Sequence, residues 1–393
     1  MWTRLGLLAF GVTLGLLVAE GAGRLLERMV CRDALAGLVV RSREFGWRLR
    51  PGAAGWQQRC AVRAPEWRIH TRINPHGLRD RDIPYERRGG FRVLALGDSF
   101  VEGMQVDQER TFPKLLEQRL DAAGVPTEVL NTGVAGWGTD NELLFFRTEG
   151  WKYAPDLVLL AFDTTNDVFE NQRHLVARST FWPDKPYFTL EHGQLTLQHF
   201  PLPARSPVME ALAALSGPLL LHSALMRWTT AFTSVWQLVG VPPPHPLEPG
   251  IPEPMEIYLR HYPPEWQQAW RITRRLILQL RREVRAHGGR LAVVLVHPRE
   301  EVSPMRFKFA TDIRPALKGK ALDVDKPNRL ITRFLARRRI PTIPTLDEFR
   351  ARYRENGTPG YLVADIHWAP AGHELVARLV DEGLHRLGLV PVR

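Results

Sequence analysis

From Phe91 onward, short apolar runs alternate with amphipathic stretches. FRVLALG (91–97) is apolar throughout and ends in Gly, the pattern of a strand buried on both faces. PTEVLNT (126–132), DLVLLAFD (156–163), RLAVVLVH (290–297) and the short IPTIPTL (340–346) continue the series. The third is the most hydrophobic and is predicted to be central. Between them the period changes to that of helices. Thr111 is placed to cap a helix through PKLLEQRLDAAG that stops at Gly124. Trp270, Ile272, Leu276, Leu280 and Val284 recur at helical spacing. Arg271, Arg274, Arg275, Arg281, Arg282 and Arg285 fill most other positions. That is an amphipathic helix with a solvated basic face, ended by Gly288 and Gly289. NRLITRFLARR (328–338) and GHELVARLVDEGLHRLG (372–388) predict two more helices. Strands alternating with helices imply an α/β fold: a parallel sheet of about five strands covered on both faces.

Three regions break this rhythm. Leu5 to Ala19 carry no charge, and counting through Gly23 brings the segment near the length that spans a bilayer. A cleaved signal peptide and a buried helix are the alternatives; the terminal position and all-round hydrophobicity favour an uncleaved anchor over residues 1–30. Residues 31–70 lack clear periodicity and read as a connecting region. Residues 173–261 hold a hairpin, YFTLEHGQLTLQHF, turning at His192 and Gly193, then an apolar stretch from Met209 to Val241. VPPPHPLEPGIPEP (241–254) follows, with seven prolines in fourteen residues, a stiff linker. Arg227 and the polar residues of the apolar stretch argue against a second span and for a helical lid or a membrane-leaning surface.

Composition narrows the field. The net charge is +11, from 53 Lys and Arg against 42 Asp and Glu. No nucleic-acid-binding motif accompanies it, so a basic face or attraction to anionic lipid or glycan accounts for it, and nucleic acid is not an expected partner. Two cysteines, Cys31 and Cys60, exclude a disulfide-dense scaffold and an all-cysteine zinc site. Neither H-E-x-x-H nor a His-rich tract is present, so no metal is expected.

Four segments at strand ends or in late loops carry candidate chemistry. Ser99, in Gly97-Asp98-Ser99-Phe100, lies at a tight strand-to-helix turn that can expose a nucleophilic hydroxyl; a capped turn reads the same. Gly136, in the loop 131–138, can aim a backbone N–H at a developing oxyanion, or belong to a plain loop. Asn166 offers a neutral amide donor, or an Asx-turn. Asp365-Ile366-His367 places a carboxylate two residues from an imidazole, which can fix its tautomer. His297 has no carboxylate closely before it, and His373 lies where a helix should begin.

The four blocks in this order resemble the SGNH hydrolases, also called the GDSL family, over residues 71–172 and 262–393. INPHGLRD (73–80), NDVFEN (166–171) and DIHWAPAGH (365–373) are similar to the membrane-anchored bacterial members. Phe100 stands where the family motif has Leu, Thr165 where Gly is usual, and Trp368 where Pro is common. The resemblance implies a flavodoxin-like three-layer sandwich; residues 173–261 interrupt it as an insertion or lid. It implies an ester hydrolase without metal or organic cofactor. Ser99 would be nucleophile, His367 base and Asp365 its partner, with Ser99, Gly136 and Asn166 forming the oxyanion hole. The expected substrate is an O-acyl, chiefly acetyl, ester of a surface glycan or lipid. Acyl transfer to a polysaccharide, or a non-catalytic binding module, are the alternatives. The catalytic domain is expected outside the cytoplasmic membrane, against a local bias in which Arg24, Arg28 and Arg32 outnumber Arg4. Cys31 and Cys60 would then be able to pair.

Overall fold

The computed structural model describes residues 2–29, 37–61, 64–87, 89–176, 184–225, 254–357 and 360–391. The first helix, α1 (Trp2–Met29), contains a stretch, Trp2–Glu27, long and apolar enough to cross a membrane, with its most apolar window unburied. A signal sequence has the same makeup. Two antiparallel ribbons follow, β1 (Val39–Ser42) with β2 (Gly46–Leu49) and β3 (Ala54–Ala61) with β4 (Ala64–Arg72). The stretch read as a connecting region thus holds two ribbons whose alternation is short: Trp67 and Thr71 are buried between exposed Arg68, His70 and Arg72 on β4, Trp47 and Leu49 are buried on β2, and β3 is half-buried over its second half. Cys60 on β3 is disulfide-bonded. Cys31 lies outside the described residues.

The α/β unit then runs β5 (Phe91–Leu96), α2 (Ser99–Glu102), α3 (Phe112–Ala122), β6 (Thr127–Asn131), α4 (Thr139–Thr148), β7 (Leu157–Asp163), α5 (Asn166–Glu170) and α6 (Arg173–Val176). A third ribbon, β8 (Tyr187–Glu191) with β9 (Gln194–Gln198), and α7 (Pro207–His222) come next. His192 and Gly193 both have positive φ, 50° and 77°, as a tight hairpin turn requires. Residues 226–253, with Trp228, Trp236 and most of the proline-rich stretch, lie outside the described residues. The unit resumes with α8 (Pro264–Ala286), β10 (Arg290–Val296), α9 (Arg299–Val302), α10 (Pro304–Asp312), α11 (Lys326–Arg337), β11 (Thr342–Ile343), α12 (Leu346–Asn356) and α13 (Pro370–Arg386). Thr111 precedes α3 but does not cap it; its hydroxyl donates instead to the Gln108 carbonyl at 2.8 Å.

The five strands pair in parallel in the order β11-β10-β7-β5-β6. Counted along the chain, and read from the β6 edge, that is 2-1-3-4-5, the flavodoxin-like order. β7 is the middle strand and is buried at every position. Alternate strand residues serve two cores. Leu94, Leu96, Val158, Leu160 and Leu295 pack with α4 and α8 on one face. Val93, Ala95, Leu159, Ala161 and Val294 pack with α3 and α13 on the other. The result is three layers. After β5 the chain goes to one side for β6 and to the other for β7, so a crevice opens at the carboxyl ends of β5 and β7.

Candidate active site

Ser99 follows β5 at that crevice, as the first residue of α2. The Asp98 carboxylate accepts the Phe100 N–H at 2.9 Å and caps this single turn. Gly97 is required: a Cβ there would meet Val101 Cγ2 at 2.2 Å. The buried Arg79 donates to the carbonyls of Glu102, Gly103 and Val106 at 2.9, 2.8 and 2.5 Å, gathering the orphan acceptors at the end of the turn. Its neighbour Asp80 pairs with the buried Lys114 at 2.8 Å and accepts the Asn131 N–H at 2.8 Å. The INPHGLRD segment therefore ties together the turns after β5 and β6.

His367 comes from the loop between α12 and α13. Its Nε2 lies 2.7 Å from Ser99 Oγ, and its Nδ1 is hydrogen-bonded to Asp365 Oδ1. The His367 backbone N–H donates to the same Asp365 oxygen at 3.1 Å. With Nδ1 facing a carboxylate, the proton belongs there, and Nε2 is left to accept from the serine hydroxyl. Asp365 Oδ2 accepts the Trp67 indole N–H at 3.2 Å. Burial pushes the Asp365 carboxyl up. The hydrogen bond and charge of His367, its backbone N–H and Trp67 outweigh that and hold it at about 2.

The loop is held from β4. The Glu66 carboxylate accepts the backbone N–H groups of Val363, Ala364 and Asp365, the last two at 3.0 Å. Trp368 is buried behind His367, its ring 4.8 Å from that of Phe100. An aromatic residue at position 100 thus has a packing partner at position 368.

Gly136 has φ 76°, a conformation that an L side chain rarely adopts. Its loop is fixed on both sides: the Ala135 N–H donates to Glu102 Oε2 at 2.7 Å, and the Trp47 indole donates to the Ala135 carbonyl at 2.8 Å. Among the described hydrogen bonds, the backbone N–H groups of Ser99 and Gly136 have no intramolecular acceptor. Asp163, at the end of β7, accepts the N–H groups of Thr165 and Asn166, both at 2.8 Å. Asn166 Nδ2 donates to Asp98 Oδ2 at 3.2 Å, which leaves it a second N–H. Thr165 sits at φ −112°, ψ −54°, an ordinary conformation for a β-branched residue, so a glycine is not needed there.

The structure thus joins Ser99, His367 and Asp365 in one line and ties Asn166 and the Gly136 loop to the same short turn. Sequence reasoning missed Trp67, Glu66 and Trp47: the alternation of their strands runs for only a few residues, and the groups they bind lie far along the chain. His297 does have a carboxylate, Glu301 Oε2 at 2.6 Å, but the pair is fully buried and the acid follows on α9. His373 is buried, where desolvation and the charge of Arg79 pull it down to about 3, and its Nδ1 accepts the Phe112 N–H at 3.3 Å.

Beneath the site lies a group of buried acids. Asp98 is pushed up to about 7 by burial and by Asp163, against the hydrogen bonds from Phe100 and Asn166. Glu102 is pushed up to about 6 by burial. Glu142 is raised well above the usual range by burial and then by Asp98 and Asp140, and Asp167 by burial and then by Glu142 and Asp98.

No family model and no curated protein matches this chain. Solved structures do. A GDSL-like lipase from Bacteroides thetaiotaomicron shares 12% identity, with 78% of this chain and 93% of that one covered, at a TM-score of 0.37. An acetylxylan esterase from Geobacillus stearothermophilus shares 11%, covering 78% and 100%, at 0.38. An α/β hydrolase from the metagenome of Lake Arreo, Spain, shares 13%, covering 78% and 99%, at 0.40. These likenesses are low in identity and in TM-score, so what this chain does has to be read from its own side chains.

Proposed function

We propose that the chain is a serine ester hydrolase of the SGNH type, acting on an O-acyl, chiefly acetyl, ester of a surface glycan or lipid. The observation that carries this is the line Ser99 Oγ, His367 Nε2, His367 Nδ1, Asp365 Oδ1 at the mouth of a sheet crevice. A serine hydroxyl is a weak nucleophile at neutral pH, and an imidazole at 2.7 Å supplies the base it needs.

In the first step the Ser99 oxygen attacks the ester carbonyl while its proton passes to His367 Nε2. Asp365 stabilises the imidazolium that forms. The carbonyl oxygen becomes an oxyanion held by the N–H groups of Ser99 and Gly136 and the unused N–H of Asn166. Collapse breaks the ester C–O bond, and His367 returns its proton to the leaving alcohol. Water, deprotonated by the same imidazole, then attacks the acyl-serine and releases the acid. The chemistry requires no metal or organic cofactor.

α1 would tether the enzyme, and a disulfide at Cys60 fits an oxidising compartment, hence a catalytic domain outside the cytoplasmic membrane. Residues 173–261 would form an insertion that covers the site or faces the membrane and sets acceptor choice. An alkaline phosphatase fused after Ala64 tests the location; activity is expected, and an active cytoplasmic reporter there would overturn it. For the chemistry, a fluorophosphonate probe should label Ser99, with peptide mapping as the readout. Labelling at another serine, or turnover of an acetate ester by folded Ser99→Ala, would remove the assignment.

A further inference from the structure

α8 and α11 enclose a cleft of about 760 Å³ outside the proposed site, closed at one end by Leu190 and Gly193 of the β8–β9 ribbon. Arg271, Arg274 and Arg275 line it from α8, and Arg333, Arg337 and Arg338 from the end of α11. The helical spacing explains the clustering: 271 with 274 and 275, and 333 with 337, each share one side of a helix. No acidic residue lines the cleft, and among the described residues none of these six forms an ion pair with a carboxylate. Some arginines elsewhere are paired: Arg147 binds Glu283 at 2.6 Å and Arg350 binds Asp325 at 2.7 Å. Gathering six like charges costs free energy that no carboxylate among the described residues offsets, and a bound polyanion would recover it.

The shape and walls select among polyanions. The volume falls in the roughly 300–1,000 Å³ range of sites for small ligands or short polymer segments, so a flat bilayer surface does not fill it. Six guanidiniums exceed what one phosphate can use, so the ligand carries several anionic groups. Single-stranded nucleic acid is held by stacking bases on aromatic rings. Here the lining ring, Phe334, already has the Arg274 guanidinium 5.9 Å from its centre. Leu278 and Leu330 add apolar wall suited to the C–H faces of sugar rings. We infer that this arginine cleft binds a short segment of an anionic glycan, whose carboxylates or phosphates offer the planar guanidinium forks a matching pair of oxygens. The inference rests on the reading of the enzyme as one that acts on a glycan ester, and it makes that glycan acidic.

The test uses the full-length protein in detergent with Ser99→Ala, so that binding is read without turnover. Fluorescence anisotropy is followed with a labelled oligogalacturonate, a glycan polyphosphate, a neutral malto-oligosaccharide, a single-stranded oligonucleotide and phosphatidylglycerol vesicles. Saturable binding of an acidic glycan is expected, weakening as salt rises. Replacing three exposed arginines together, Arg271→Gln, Arg275→Gln and Arg333→Gln, should weaken it about tenfold or more. Arg333→Lys, which keeps the charge and loses the fork, should weaken it less, and serves if the triple variant is unstable. With Ser99 restored, the triple variant should hydrolyse a small acetate ester at the parental rate. No saturable binding of either acidic glycan, equal affinity in the triple variant, or tighter binding of the oligonucleotide or vesicles would overturn the inference. Loss of ester turnover in the parent alongside intact acidic-glycan binding would instead overturn the hydrolase reading and leave the cleft standing.

Discussion

Trp67 donates its indole N–H to Oδ2 of Asp365 at 3.2 Å, across 298 residues of chain. The adjacent Glu66 accepts the N–H groups at the start of the same loop. A two-stranded ribbon before the α/β unit therefore sets the orientation of the acid partner of His367. It does so through one charge-assisted hydrogen bond and one carboxylate clamp.

Trp67→Phe keeps the ring and removes the donor. A hydrogen bond to a charged group is worth about 1.5–3 kcal/mol, so kcat should fall about tenfold to a hundredfold with KM little changed. Steady-state kinetics on a soluble acetate ester separates the two. An equal loss in KM alone would mean that the ribbon only shapes the substrate path.

His367→Ala should abolish turnover. Asp365→Asn should reduce kcat by up to ~10⁴-fold, because an amide supports the wrong tautomer and does not stabilise the imidazolium. The Ser99 oxygen stays in place in both, so slow residual fluorophosphonate labelling is expected where esterase activity is not. Full activity in a folded Asp365→Asn protein would remove Asp365 from the mechanism.

Asn166→Ala should lower kcat by about 10²–10³, the usual cost of one oxyanion donor, with KM nearly unchanged. It also removes the 3.2 Å donor to Asp98, so thermal unfolding should be measured alongside. A rise in KM without a fall in kcat would place Asn166 in ground-state binding.

Stability should depend on pH from two sides. Asp365 is lowered from 3.8 to about 2, so its contribution is present above the unfolded value and is lost as pH falls through about 2. Asp98 and Glu102 are raised from 3.8 and 4.5 to about 7 and about 6. Their contribution is complete below the unfolded values and is lost as pH rises through the folded ones. The unfolding midpoint of Ser99→Ala should therefore fall between about pH 4 and 7. Asp98→Asn, which keeps a capping oxygen, should flatten that fall. A midpoint that climbs over this range would contradict the buried-acid account.

The sequence by itself determined the parallel α/β layers, the position of β7 at the centre and the strand ends that carry Ser99, Gly136 and Asn166. Buried parallel strands are apolar at every position, and helices against them keep a helical period, so both leave a local trace. Asp365 and His367 were legible because they are two residues apart. The pairing of Ser99 with His367 was named only through the family resemblance, since 268 residues separate them and folding of the sheet brings them to 2.7 Å. The roles of Trp67, Glu66 and Arg79 were also decided by tertiary structure alone. Each acts through a single directed hydrogen-bonding group on a distant loop, and such contacts impose no period on the neighbouring residues. The arginine cleft lies between these cases. The basic face of α8 was visible in the spacing of its arginines, but read as a solvated surface. It becomes a cleft only because α11 places Arg333 and Arg337 beside it.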